Sequence, residues 1–168
     1  MLRLLFRAFA ASLPAIAVAT SPCQLIDAGI PGRVSYPDSN LYNSSITSYF
    51  SGQERELNPT CVFEPVTASE ISQFIKIVTA CNGTQFAIRG GGHTLWTGAA
   101  NIDCGITMDM RLMNDTTLSQ DNQIAHLEPG ARYHDVYHEV VKHNVTVMGG
   151  RVPGIGVGGF ASGGECWS

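Results

Sequence analysis

Arg89-Gly90-Gly91-Gly92-His93 is the first place in this 168-residue chain where residue types and spacing could do chemistry. Three consecutive glycines remove every side chain that would hold a ligand off the backbone. Successive free amides can then turn toward one anion and cradle it. A histidine, His93, closes the run. A flexible surface loop is the competing reading of these five residues. The segment lacks the Lys-Ser/Thr pair of a Walker loop, and its glycines are not spaced like the dinucleotide fingerprint that opens a helix. The pattern favours a phosphate-bearing ligand on a fold other than the Rossmann type.

The second place is the stretch from Gly149 to Gly164, which holds eight of the 18 glycines. Val152, Ile155, Val157 and Phe160 sit among them, whereas flexible linkers are Gly/Ser without apolar punctuation. Such a stretch reads as backbone folded tightly against a flat or phosphate-bearing ligand. Metal chemistry has one candidate pair, His134 and His138, four apart on an expected helix and able to share one zinc. His138-Glu139-Val-Val-Lys-His143 has one residue too many for H-E-x-x-H, which rotates His143 off that face. Surface histidines are the simpler reading, so no metal is expected, and His126 reads as a sheet residue.

The elements that must position these segments follow from the hydrophobic pattern. Residues 20–60 are polar and turn-rich and read as an extended lead-in. Cys61 to Glu64 form a short strand closed by Pro65. Thr67-Ala-Ser-Glu70 matches a capping box. Ile71, Phe74, Ile75 and Val78 follow at helical spacing, predicting about three turns that end near Asn82-Gly83. Gln85 to Arg89 and Ile106 to Met110 read as strands, and Leu118 with Ile124 to Leu127 as a hairpin around Gln120-Asp121-Asn122. Tyr133, Val136, Tyr137, Val140 and Val141 make one apolar stripe, a helix ending at Asn144. Val145 to Met148 reads as a further short strand. The class is α+β.

Composition bounds the rest. At 44% hydrophobic, the chain can build a core, and one domain is the natural expectation at this length. With 10 Lys and Arg against 14 Asp and Glu, a net charge of -4, no surface for tracking nucleic acid phosphates is evident. Residues 1–19 read as an export signal: Arg3 and Arg7, an apolar run from Ala8 to Val18, then Ala17-Val18-Ala19 at the cleavage site. That run is too short to span a bilayer, which needs about 20 apolar residues. Sequons at Asn43, Asn82, Asn114 and Asn144 agree with export. So do five cysteines, Cys23, Cys61, Cys81, Cys104 and Cys166, without zinc spacing; two bridges and one leftover cysteine are expected. The expected address is extracellular, with no membrane contact after signal cleavage.

Phe86-Ala-Ile-Arg-Gly-Gly-Gly-His-Thr94, Ile106-Thr-Met-Asp-Met110 and Pro153-Gly-Ile-Gly-Val-Gly-Gly-Phe160, in this order and spacing, resemble the FAD-binding domain of the vanillyl-alcohol-oxidase flavoproteins. Within that superfamily the chain is most similar to the berberine-bridge-enzyme-like secreted oxidases. The resemblance covers about residues 23–164. It implies the two-subdomain α+β FAD-binding fold of the PCMH type, incomplete at its C-terminal side. The expected organisation is a signal at 1–19, a lead-in at 20–60, the FAD-binding domain at 61–164 and an atypical tail at 165–168.

By the same resemblance, FAD is the cofactor, gripped by Arg89, Gly90, Gly91, Gly92, His93 and Thr94 along its pyrophosphate. Val152, Pro153, Gly154, Gly156, Gly158, Gly159 and Phe160 form the second cofactor-binding segment. His93 matches the histidine that relatives bond to the flavin's methyl substituent. Val152 matches the cysteine that makes a second link in some relatives and cannot form a thioether, so a single attachment through His93 is implied. Ile155 matches a position tied to oxygen access. Plant relatives would pair Cys23 with Cys81, with Cys61 a rival partner. The implied activity is oxidation of a small-molecule alcohol, sugar or amine-adjacent carbon, with oxygen or another acceptor reoxidising the flavin. Catalytic bases in the family lie in a later half that has no counterpart here, so catalytic residues are unknown, and an N-terminal fragment of an oxidoreductase is the expected identity. A non-catalytic FAD-binding remnant and a secreted glycoprotein module without flavin are the alternatives.

Overall fold

The computed structural model describes residues 20–163, so the expected export signal and the tail after Gly164 lie outside the described residues. The chain opens with α1 (Pro22–Gly29), β1 (Val34–Ser35), α2 (Asn40–Thr47) and α3 (Gly52–Arg55). β2 (Cys61–Phe63), α4 (Ala68–Ala80), β3 (Phe86–Arg89) and β4 (Ile106–Asp109) follow. A hairpin of β5 (Thr116–Leu118) and β6 (Ala125–Leu127) leads to α5 (Tyr133–Val140) and α6 (Val157–Ser162).

Residues 20–60 are a helical wall, which corrects the expectation of an extended lead-in. The serines that read as turn markers instead cap helices. The hydroxyls of Ser21, Ser39 and Ser51 each accept an amide at a helix start, and Pro22 occupies the first turn of α1. Turns and helix starts favour the same residues, because both need a short side chain to bond nearby backbone. Cys23 on α1 is bonded to Cys61 at the head of β2. The rival pairing is therefore the one present, and Cys81 and Cys104 are free thiols among the described residues.

Four strands pair in the order β1-β2-β4-β3, with β2 and β3 both parallel to β4 and β1 antiparallel to β2. β2 and β4 are buried along their whole length, as parallel strands covered on both faces must be, and apolar residues dominate them. α4 packs Phe74 and Val78 onto this sheet, with Phe74 stacked on Phe63 at 4.8 Å between ring centroids. Its start follows the expected cap in part. Thr67 accepts the Glu70 amide, while the Glu70 carboxylate takes the Val66 amide at 2.6 Å in place of Thr67's own.

A second apolar cluster, centred on Ala131, Tyr133, Val136, Val140 and Val157, joins α5 and α6 to Leu118 and Leu127 of the hairpin. These two larger clusters centre two subdomains, as the resemblance implied, and a small third cluster of Tyr42, Ile46 and Val62 joins α2 to β2. Val145 to Met148 is not a strand. Val145 and Val147 pack against the second cluster, and that packing accounts for their alternation without a ladder.

Candidate flavin cleft

The Gly90-Gly91-Gly92 loop leaves the sheet at the carboxyl end of β3, beside the end of the central strand β4, where Arg89 and Asp109 are in register. Ligands in open parallel sheets collect at this end. A cleft of about 840 Å³ opens there, lined by the Gly90 to Thr94 loop, Met110, Pro129 and the Gly156 to Phe160 stretch. A smaller cavity of about 330 Å³ lies at the opposite end of the strands, beside Thr60, Gln85 and Ile106. The larger one holds both glycine segments and the histidine.

The two segments meet backbone to backbone. A Cβ on Gly91 would lie 2.5 Å from the Gly156 nitrogen, and one on Gly156 would press on the Gly91 nitrogen in turn. A Cβ on Gly158 would come 2.7 Å from the Pro129 carbonyl. These glycines are needed because no side chain fits between the subdomains. The amides of Gly91 and Gly92 have no protein acceptor among the described residues, although both residues are buried. Buried unpartnered amides are costly, and an anion in the cleft would satisfy them. The residues present therefore fit a phosphate-bearing cofactor.

His93 is half-buried at the cleft, and its imidazole stacks on Phe50 with centroids 4.1 Å apart and planes 15° from parallel. Its edge faces Gly154, where a Cβ would stand 3.2 Å from the imidazole Cδ2. Thr94 lines the cleft too, and its hydroxyl accepts the Trp96 amide at 3.2 Å. Val152 and Pro153 are exposed and outside the lining, next to the His93 end of the segment.

Arg89, expected with the loop along the pyrophosphate, turns its side chain into the protein interior. The guanidinium is wholly buried behind the loop, 3.8 Å from the centre of the Tyr49 ring. It donates to the Ser45 carbonyl and to the Ser48 hydroxyl, and pairs with Asp109 at 3.3 Å. Asp109 is shared with Arg111 at 2.8 Å and accepts the Ser45 hydroxyl at 2.6 Å. Burial lowers the Arg89 guanidinium and Asp109 opposes it. For Arg111 burial also works against charge, but the Asp109 hydrogen bond and charge prevail and raise it. Burial pushes the Tyr49 phenol well above its ordinary value, so it stays a donor to the Ala100 carbonyl at 2.7 Å. The cluster therefore holds the loop from beneath.

Other positioning residues carry no signal in the sequence. The wholly buried Glu54 accepts the amides of Ala99 and Ala100 and so fixes the loop after His93. Arg132 donates to the Gly91 carbonyl at 3.3 Å and bridges Gly156 through its backbone, tying both glycine segments together. His134 and His138 lie apart, stacked at 4.7 Å on the exposed side of α5. Asp135 comes within 3.8 Å of His134, but no three His, Cys, Asp or Glu side chains among the described residues are grouped so as to hold a metal ion. No helix among those residues is long and apolar enough to cross a membrane.

Comparison with known proteins agrees with this cleft. The chain is 40% identical over 144 residues to the FAD-dependent monooxygenase sdcF of Emericella nidulans, covering 85% of the chain and 30% of that relative. Its fold superposes on the BBE-like 1 protein of Physcomitrella patens with a TM-score of 0.71 at 21% identity, covering 82% of the chain and 29% of the neighbour. Glucooligosaccharide oxidase from Acremonium strictum, described as holding a 6-s-cysteinyl, 8 alpha-N1-histidyl FAD, gives a TM-score of 0.70 at 20% identity, covering 83% and 29%. The chain thus spans less than a third of the length of these proteins. Residues 59–166 match the sequence family described as an FAD binding domain. With its berberine-bridge-like fold of two subdomains around a glycine-walled cleft, the chain belongs to that FAD-binding family.

Proposed function

We propose that this chain binds FAD in the cleft between its subdomains, tethers it through His93 alone, and serves an oxidoreductase acting on a small-molecule alcohol, sugar or amine-adjacent carbon. The observation that carries the reading is the approach of Gly91 to Gly156, which leaves bare backbone and unpartnered amides beside a held imidazole. Gly90 to Thr94 supply backbone for the pyrophosphate, and Gly156, Gly158, Gly159 and Phe160 supply the facing wall. The naming of a relative as an FAD-dependent monooxygenase supports redox chemistry, and the histidyl link described for a fold neighbour supports the tether. Val152 stands next to His93's end of the second segment and has no sulfur, so a thioether is excluded there.

When bound, the flavin supplies the two-electron chemistry, and the protein supplies binding, orientation and exclusion of water. In a tether, an imidazole nitrogen of His93 would be the nucleophile toward the flavin's methyl substituent and would give up its N–H proton, while the flavin and its acceptor would supply the accompanying two-electron chemistry. Phosphate contacts come from backbone amides, with Arg89 holding those amides in place from behind.

The leader at 1–19 and the four sequon asparagines, all exposed where described, support passage through the secretory pathway. The test of the tether is a denaturing gel of the full chain expressed with FAD. The wild-type band keeps flavin fluorescence and His93→Ala loses it. A dark wild-type band, or a fluorescent His93→Ala band, contradicts the tether.

A further inference from the structure

We infer that Phe50 is a positioning residue for the tether, holding the His93 imidazole edge-on to the cleft. This rests on the reading of His93 as the attachment point. Phe50 is 58% exposed and belongs to neither apolar core, so burial does not explain its place. Its ring lies nearly parallel to the imidazole, and it is not among the residues lining the cleft, whereas His93 is.

The backbone under Phe50 is fixed on both sides. Its amide donates to the Gly92 carbonyl at 2.9 Å, one residue before His93. Arg55 holds the adjoining carbonyls, donating to Tyr49 at 2.7 Å and to Phe50 at 3.3 Å. The platform is therefore rigid before any cofactor arrives. Phe50 covers one face of the imidazole, and its Cδ2 edge lies close enough to Gly154 that a side chain there would meet it, so the stack is what limits rotation of the ring. Bond formation needs the nitrogen lone pair aligned with one carbon, and holding that alignment in advance removes part of the entropic barrier. The sulfur-free Val152 leaves this as the sole attachment to be guided.

An aromatic pair of this kind corresponds to roughly a three- to tenfold change in rate. The test mixes flavin-free full chain with FAD and follows the fluorescence retained after denaturation over time, in wild type and in Phe50→Ala, Phe50→Leu, Phe50→Tyr and Phe50→Trp. Equilibrium FAD binding by ultrafiltration, and ring-proton NMR of His93 before flavin is added, are measured alongside. The expected result is tethering about three- to tenfold slower in Phe50→Ala and Phe50→Leu, with Phe50→Tyr and Phe50→Trp near wild type. FAD binding before the bond forms stays unchanged, and the His93 ring protons move downfield in Phe50→Ala as the stacked ring is lost.

Phe50→Ala tethering at the wild-type rate overturns the role of Phe50 and leaves the His93 reading standing. So does failure of Phe50→Tyr to restore the rate. A wild-type chain that binds FAD and never retains it after denaturation overturns the His93 reading, and this inference with it. Phe50 is mostly exposed, so the melting temperature of Phe50→Ala stays close to wild type and the comparison is made on folded protein.

Discussion

Gly91 and Gly156 are the residues at which the cleft is most exposed to a single methyl group. Gly91→Ala drives a Cβ to 2.5 Å from the Gly156 nitrogen and 2.7 Å from its Cα, against backbone that has nowhere to move. Overpacking of this kind costs about 1–3 kcal/mol, and here it also pushes apart the two segments proposed to clasp FAD. Gly159 is the internal control, because a Cβ there meets nothing within 4 Å and the residue lies in α6. Thermal melts of the two variants separate the cases. Gly91→Ala loses stability and FAD affinity, and Gly159→Ala keeps its melting temperature or gains slightly from better helix propensity. Equal melts would mean that the segments do not touch in solution.

Glu64, just past β2, makes a pH-dependent prediction at the same scale. Burial raises its carboxyl above the ordinary value, with Asp109 adding to the effect and the arginines opposing it. A raised carboxyl holds its proton more tightly in the folded chain than in the unfolded one. It therefore costs nothing below the ordinary carboxylate range and destabilises increasingly as pH climbs from the unfolded to the folded value. Glu64→Gln accordingly melts higher than wild type at neutral pH, and the gain vanishes on acidification to ~pH 3. A variant less stable at neutral pH would show that Glu64 acts through its attraction to the arginines.

Among the elements, α4 and α5 were legible because each carries an apolar stripe with a clear stop. Asn144, at φ 56°, ends the α5 segment as a left-handed cap. α1 to α3 were not legible, since helices of 4 to 8 residues are too short to show a period and their capping serines imitate turns. The same limit hid what positions the site. Gly-Gly-Gly-His and the second glycine run can be read from residue type alone, but Phe50, Glu54 and Arg132 act through contacts 40 or more residues away in sequence. The bracing role of Arg89 was hidden for a related reason: the chain shows its neighbours along the backbone and not Asp109 or Tyr49 across the fold. The helical wall also has an energetic consequence. The bond between Cys23 and Cys61 spans 38 residues, and closing a loop of that length stabilises the fold by about 4 kcal/mol in the chain-entropy account. Denaturant unfolding of Cys23→Ala shows a loss of about 2–5 kcal/mol. A loss near zero would mean that the first helix holds its place without the bond.

For the molecule as a whole, two apolar cores with a cleft of about 840 Å³ between them form a clasp whose facing surfaces are glycine backbone. The larger core supplies a rigid loop braced from beneath by Arg89, Asp109 and Tyr49. The smaller supplies the facing segment, held to that loop by Arg132. The central claim of this architecture is a flavin attached at His93 and nowhere else. Peptide mapping tests it most directly, because trypsin cuts after Arg89 and Arg111 and releases residues 90–111, with His93 inside, as one piece. Mass spectrometry of the digested flavin-bearing chain should find the flavin's mass on that peptide alone, at His93. A bare 90–111 peptide from flavin-bearing protein, or flavin on the peptide beginning at Val152, would contradict the account.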